Sequence, residues 1–291
     1  MLKDSQSAGL KKVLARGPVQ VVAVTSGKGG VGKTNVAVNT AIAIAAGGAN
    51  VMLLDADLGL ANVDVLLGLQ PRFNLSHVAS GVSDLDSTII RGPNNVRIVP
   101  ASSGSFSMVD LPMASQAAII QAFSSLAEQP DVLVVDTAAG ISESVARFVQ
   151  AAQEAIVVVC DEPASLTDAY ALIKVFSRNY GIRRFQIVTN QTRDAWEGRV
   201  LYTKLRKVAD LYLDVVLRHL GNVPLDPWLR RAVQEQRAVV DAYPRSESGR
   251  AFAEIARALQ RIPAVTQASG NIEFFLERLL MAAPACARGQ A

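Results

Sequence analysis

A chain of 291 residues, half of them hydrophobic and 19% charged, has enough apolar material for one large or two small domains with a sizeable core. Its formal net charge of +3 and the lack of any long basic run speak against a nucleic-acid footprint, so no direct DNA binding is expected. The two cysteines, Cys160 and Cys286, lie too far apart in sequence to suggest a metal site or a disulfide framework, which fits a reducing, cytoplasmic compartment.

Taken in chain order, residues 1–17 read as an N-terminal arm without an apolar signal-peptide core. Residues 20–25 (QVVAVT) read as a buried strand, a glycine-rich turn follows, and residues 35–46 (NVAVNTAIAIAA) read as a helix. Strand-like runs at 51–55, 96–99, 132–136, 156–160 and 185–189 then alternate with helical stretches at 115–128, 142–152, 165–180 and 196–212. Cys160 closes one of these apolar strands and reads as a small core residue. Continuous apolar strands are buried on both faces, which predicts a mostly parallel sheet covered by helices in a three-layer α/β/α fold. Right-handed crossovers gather the strands' C-terminal ends at one edge, where Thr25, Asp55, Asp136 and Asn190 all fall. The expected division is an arm over 1–17, one domain over 18–262, and a linker with a last helix over 263–291. No apolar run is long enough to span a bilayer. His77 and His219 are isolated and are assigned no role.

The turn after the first strand carries most of the functional information. Gly27, Lys28, Gly29, Gly30, Val31, Gly32, Lys33 and Thr34 satisfy the phosphate-loop pattern of two spaced glycines followed by Lys and Thr. Backbone N–H groups of such a turn converge on a polyphosphate at a helix N-terminus. Lys33 is placed to reach the β- and γ-phosphates, and Thr34 to give its hydroxyl to Mg²⁺. Gly27, Gly29 and Gly32 also fit the dinucleotide fingerprint, with Asp55 as the acid that follows. The Lys33–Thr34 pair decides for a nucleoside triphosphate, because a dinucleotide turn uses neither residue. Lys28 is superfluous to an ordinary phosphate loop. It projects away from its own nucleotide and could reach the phosphates of a second subunit, a cation in trans of the kind worth about 10³–10⁵ in rate. The plain alternative is a solvated loop lysine.

Asp136 ends the apolar run Val132, Leu133, Val134, Val135 and precedes Thr137, Ala138, Ala139 and Gly140. A carboxylate at the tip of a buried strand beside a phosphate loop is the second half of a Mg²⁺-nucleotide site. Gly140 lets the following loop move close to a γ-phosphate. Asp57 could orient the attacking water and Asp55 could bond the metal's water shell, although either aspartate could instead cap a turn.

With Lys28 in place, the loop resembles the deviant Walker A motif of the MinD/ParA ATPases. Residues 51–69 resemble the first switch of that family and residues 133–140 the second. The stretches 132–140, 160–174 and 238–246 resemble the branch that regulates flagellar number. The resemblance covers about residues 19–257. It implies an ATP-dependent homodimer enclosing two ATP molecules, with Lys28 of each subunit on the other's phosphates. It further implies that Asp57 positions water, that Thr34 and Asp136 hold Mg²⁺, and that Asn190 contacts adenine. The backbone at Val223 and Pro224 completes the implied base pocket. Hydrolysis would be slow and would return the dimer to monomers. The implied partners are a FleQ-like flagellar transcription activator, held in check, and an FlhF-like GTPase of the signal-recognition type.

Both chain ends bear on partners. Residues 5–12 resemble a segment by which some members stimulate the GTPase, through Gln6, Leu10 and Lys11. Ser5, Ser7 and Lys11 stand where those members carry Asp, Ala and Arg, and lysine lacks the planar fork of arginine; the plain alternative is a short disordered tail. The last helix, over 271–281, places Ile272, Phe275, Leu276, Leu279 and Leu280 on one face. In MinD a terminal amphipathic helix binds membrane. Here Glu273 and Glu277 oppose Arg278, whereas anionic lipid rewards basic residues by about 1 kcal/mol each. Docking on the body or on a partner is therefore favoured over autonomous anchoring, with recruitment to the cell pole or inner membrane the lesser alternative. Two other functions compete. A ParA/MinD-type ATPase that positions DNA, a septum or another cargo would need a basic patch, for which Arg230, Arg231 and Arg237 are the candidates. A metabolic enzyme of the nitrogenase-reductase kind would need paired cysteines, and position 138 is Ala in a cysteine-free loop.

Overall fold

The computed structural model describes residues 18–57, 62–101, 111–263 and 272–281; Gln6, Leu10, Lys11 and Cys286 lie outside them. The first half runs β1 (Gln20–Thr25), α1 (Lys33–Ala46), β2 (Val51–Ala56), α2 (Val63–Leu67), α3 (Leu75–Ala79), α4 (Leu85–Thr88), β3 (Ile90–Arg91), β4 (Arg97–Val99), α5 (Met113–Ser124), β5 (Val132–Thr137) and α6 (Glu143–Ala151). The second half runs β6 (Glu154–Cys160), α7 (Pro163–Tyr180), β7 (Arg184–Thr192), α8 (Ala195–Tyr212), β8 (Val216–Pro224), α9 (Pro227–Gln234), α10 (Val239–Ala242), α11 (Glu247–Gln260) and α12 (Ile272–Met281).

The eight strands form one sheet in the order β3-β4-β2-β5-β1-β6-β7-β8. All pairs are parallel except β3 with β4. Alternate strand residues feed opposite layers, as the period of two requires. Val22, Val24, Leu53 and Val134 pack against α1 and α11. On the other face, Met52, Leu54, Leu133 and Val135 meet α3, α5 and α12, while Ala23, Val157 and Ile187 meet α6, α7 and α8. The expected three-layer α/β/α fold is what forms.

The six strands expected from apolar runs are all present. β8 was not expected, because an edge strand is buried on fewer sides and this one carries Arg218, His219, Gly221, Asn222 and Pro224 in place of a continuous apolar run. Helix α12 packs on α5 and α6 of its own chain, and Ile272, Phe275, Leu276, Leu279 and Leu280 are all buried there. Arg278 at its exposed side donates to the Gln150 carbonyl at 2.5 Å. The face expected to seek an apolar partner has thus found one within the domain. Among the described residues, no helix is long and apolar enough to cross a membrane.

Candidate functional site

Central strand β1 lies between β5 and β6, so the turn leaving it opens at the point where the chain winds in opposite directions, the crevice such sheets use for ligands. Two glycines give that turn its shape. Gly30 and Gly32 have φ of +83° and +85°, a region that other residues enter only with strain. Gly32 is also the N-cap of α1, and a Cβ there would lie 2.3 Å from Asn190 Nδ2. That amide donates to the Val31 carbonyl at 2.8 Å, and Gln191 Nε2 donates to Gly30 O at 3.3 Å. The end of β7 therefore braces the loop from one side. On the other side, a Cβ at Gly27 would lie 2.3 Å from the Asp168 backbone, so the loop rests directly on α7. Ser26 Oγ donates to Lys28 O at 2.9 Å, and Gly140 N donates to Ser26 O at 2.8 Å. The turn after β5 is in this way tied to the phosphate loop, with Gly140 at φ +100°.

Charged groups meet at the C-terminal edge of β2 and β5. Lys33 Nζ donates to Asp136 Oδ1 at 2.7 Å and lies 3.9 Å from Asp57 Oδ2. Burial pushes the Asp136 carboxyl up, and the Lys33 ammonium pulls it down. The second Asp136 oxygen, Oδ2, is buried and has no hydrogen-bond partner. Asp55 accepts from the backbone of Asp57 at 3.1 Å and from those of Asn62 and Val63 at 3.2 Å each. Burial, and then the neighbouring Asp136 charge, raise its pKa to about 7.

The unpartnered Asp136 oxygen is a hard donor buried beside Lys33 and outside the cavity lining, and its chemistry suits Mg²⁺. That ion commonly takes one or two carboxylates and completes its shell with water and phosphate. No group of three or more His, Cys, Asp or Glu side chains suited to a metal occurs among the described residues. The donor chemistry fits a metal whose remaining positions are filled by water and phosphate.

A cavity of about 790 Å³ opens over the loop, of the size small-molecule sites use. Gly29, Gly30, Gly32, Lys33, Thr34 and Asp57 line it, together with Ala138 and Ala139. Several lining residues were not anticipated: Ser26, Asn35, Asn62, Gln191, Val233 and Gln236. Val233 and Gln236 come from the region of α9, roughly two hundred positions after the loop, and no local pattern marks them. Gln191 sits at a register irregularity of β7 with φ +58°. Three expected base-pocket residues do not line this cavity. Asn190 and Val223 are buried register partners on β7 and β8, and Pro224 lines a separate groove of about 570 Å³ beside α8 and α11. Lys28 also lies outside the cavity lining and pairs with Glu162 at the start of α7. His219 stacks on Tyr202 at 5.0 Å between ring centroids, and His77 helps cap α3, so both serve the fold.

Comparison with known proteins agrees with this geometry. The sequence profile of the ParA family, described as NUBPL iron-transfer P-loop NTPase, matches residues 18–260. The chain belongs to the ParA family of P-loop NTPases, a nucleotide-binding class that hydrolyses triphosphates. It is 54% identical over 271 residues to the antiactivator FleN of Pseudomonas aeruginosa, covering 93% of this chain and 97% of that protein. It is 32% identical to the flagellum site-determining protein YlxH of Helicobacter pylori, covering 83% and 82% of the two chains. Among solved structures, MinD of Pyrococcus horikoshii complexed with Mg-ADP superimposes with a TM-score of 0.65 at 26% identity, covering 84% of this chain and 97% of that one. A chain of the Aquifex aeolicus MinC:MinD complex gives a TM-score of 0.66 at 25% identity, covering 86% and 99%.

Proposed function

We propose that this chain is an ATP-driven dimer switch that limits flagellar number by restraining a flagellar master transcription activator. The observation that carries the reading is the 54% identity to the antiactivator FleN across nearly the whole of both chains, with Lys28 present in the loop. In this reading residues 18–262 are the ATPase domain, and the arm 1–17 and the segment 263–291 are its regulatory ends. The flagellar activator is FleQ-like, and the arm reaches an FlhF-like GTPase through Gln6, Leu10 and Lys11. The protein acts in the cytoplasm, with recruitment to the cell pole or the inner membrane as a secondary step. The burial of the apolar face of α12 supports a weak rather than autonomous interaction with lipid.

The residues divide the work as follows. The loop backbone from Gly27 to Gly32 would hold the phosphates, and Lys33 would exchange Asp136 for the β- and γ-phosphates. Thr34 and Asp136 would hold Mg²⁺, with Asp55 bonding its water shell; the ion supplies neutralisation of charge on the phosphates. Asp57, on the cavity wall near Lys33, would position the attacking water. Asn190 has a buried Oδ1 without a partner, the right acceptor for an amine on an adenine ring, and the backbone at Val223 and Pro224 would close that side. Lys28 does not line the cavity of its own chain and pairs with Glu162 instead, which suits a cation delivered to a second subunit.

A deletion strain tests the proposal. Cells without the protein should carry many flagella. Unchanged flagellation together with lost plasmids or misplaced septa would overturn it in favour of cargo positioning.

A further inference from the structure

We infer that Glu162 is a positioning residue that holds Lys28 in its own chain, so that dimer formation must first break the Lys28–Glu162 pair. This rests on the reading of Lys28 as a cation that acts across the dimer. Lys28 Nζ donates to the Glu162 carboxylate, and the two residues are 134 positions apart.

Both ends of the pair stand on fixed backbone. Lys28 O is held by Ser26 Oγ, and Ser26 O is held by Gly140 N. Glu162 is the N-cap of α7, with Pro163 at the first helical position. Its N–H donates to Cys160 O at 2.8 Å and its carbonyl accepts from Leu166 N at 3.2 Å. The two backbones touch where Gly27 abuts Asp168 and Ala169. An ion pair built between anchored backbones loses less freedom on forming than one between mobile loops.

Local structure gives Glu162 no other task. Helix N-caps favour Ser, Thr, Asp or Asn, whose short side chains reach the free N–H groups of the first turn. Glu162 makes no such side-chain bond, and its carboxylate turns outward to the loop lysine. A carboxylate in contact with an ammonium competes for it with any phosphate. The multiply charged phosphates of a partner-bound triphosphate win that competition, but only after displacing Glu162. The pair thereby sets a threshold for assembly, and the same protein can bind nucleotide through Lys33 without dimerising.

An exposed ion pair is worth about a 1.4- to five-fold change in an equilibrium constant. Two are broken per dimer, so removing both should favour the dimer by about two- to twenty-five-fold. The test compares the full chain with Glu162→Gln, which keeps the shape and loses the charge, and with Glu162→Ala. Hydrolysis is followed against protein concentration at saturating ATP and Mg²⁺, and nucleotide affinity is measured on the monomer. Both variants should reach half-maximal hydrolysis at about two- to twenty-five-fold lower protein concentration, with an unchanged plateau rate and unchanged monomer affinity. A purely structural role would instead weaken nucleotide binding by the monomer, and that result contradicts the inference. So does an unchanged or raised half-maximal concentration while Lys28→Ala fails to hydrolyse. If Lys28→Ala itself hydrolyses normally, the trans role of Lys28 falls, and this inference falls with it.

Discussion

Asp55 and Asp136 are register partners on β2 and β5, two buried carboxylates held side by side at the C-terminal edge of the sheet. Lys33 answers one of them directly, and backbone N–H groups answer the other. Burial raises the pKa of both carboxyls, and the Asp136 charge raises that of Asp55 further, so the pair holds a proton more readily than free carboxylates do.

That pairing predicts a pH dependence. Asp55 titrates at about 7 in the folded chain, against 3.8 when unperturbed. Between those values the folded state holds the proton more tightly than the unfolded state, so this group's contribution to stability falls as pH rises from about 4 to about 7. The full rise corresponds to at most roughly 4 kcal/mol. Thermal melts in a chelator from pH 5 to 8 should show a decline for the wild type that Asp55→Asn flattens. Identical pH profiles for the two proteins would show that Asp55 is ionised throughout.

The phosphate loop is braced by a contact that leaves no room for a side chain at Gly32. Gly32→Ala should lose nucleotide binding and destabilise the chain by about 1–3 kcal/mol, through φ strain and collision with Asn190. Adding Asn190→Ala removes the collision but not the strain, so part of the stability should return. Denaturant midpoints of the single and double variants measure this coupling. Strict additivity would mean that the Asn190 contact does not constrain the loop.

Helix α12 covers an apolar part of the fold that would otherwise face solvent. Phe275→Ala should cost about 3–5 kcal/mol, the usual range for a buried aromatic. It should also raise binding of an apolar dye. A loss below about 1 kcal/mol would mean that the helix is only loosely held.

How much of this was legible in the sequence follows from physical range. Strands such as β5 and β6 are buried on both faces and so appear as unbroken apolar runs. The phosphate loop is local, its glycines and Lys33 lying within eight consecutive positions. β8 was illegible because an edge strand admits His219 and Asn222. Helices α9 and α10 were illegible because they are short, of 8 and 4 residues, and the first is rich in arginine. The loop braces were out of reach for another reason. Asn190 meets Val31 across 159 positions and Gln191 meets Gly30 across 161, separations that only the folded sheet closes. Lys28 could be singled out by position, but its partner Glu162 could not.

In the proposed switch, two subunits exchange Lys28 across a pair of bound triphosphates. The decisive measurement is light scattering of Lys28→Ala with ATP and Mg²⁺, alongside nucleotide binding on the same sample. The variant should bind ATP as tightly as the wild type yet remain monomeric and leave it unhydrolysed. Dimers at the wild-type concentration, with normal turnover, would rule the exchange out.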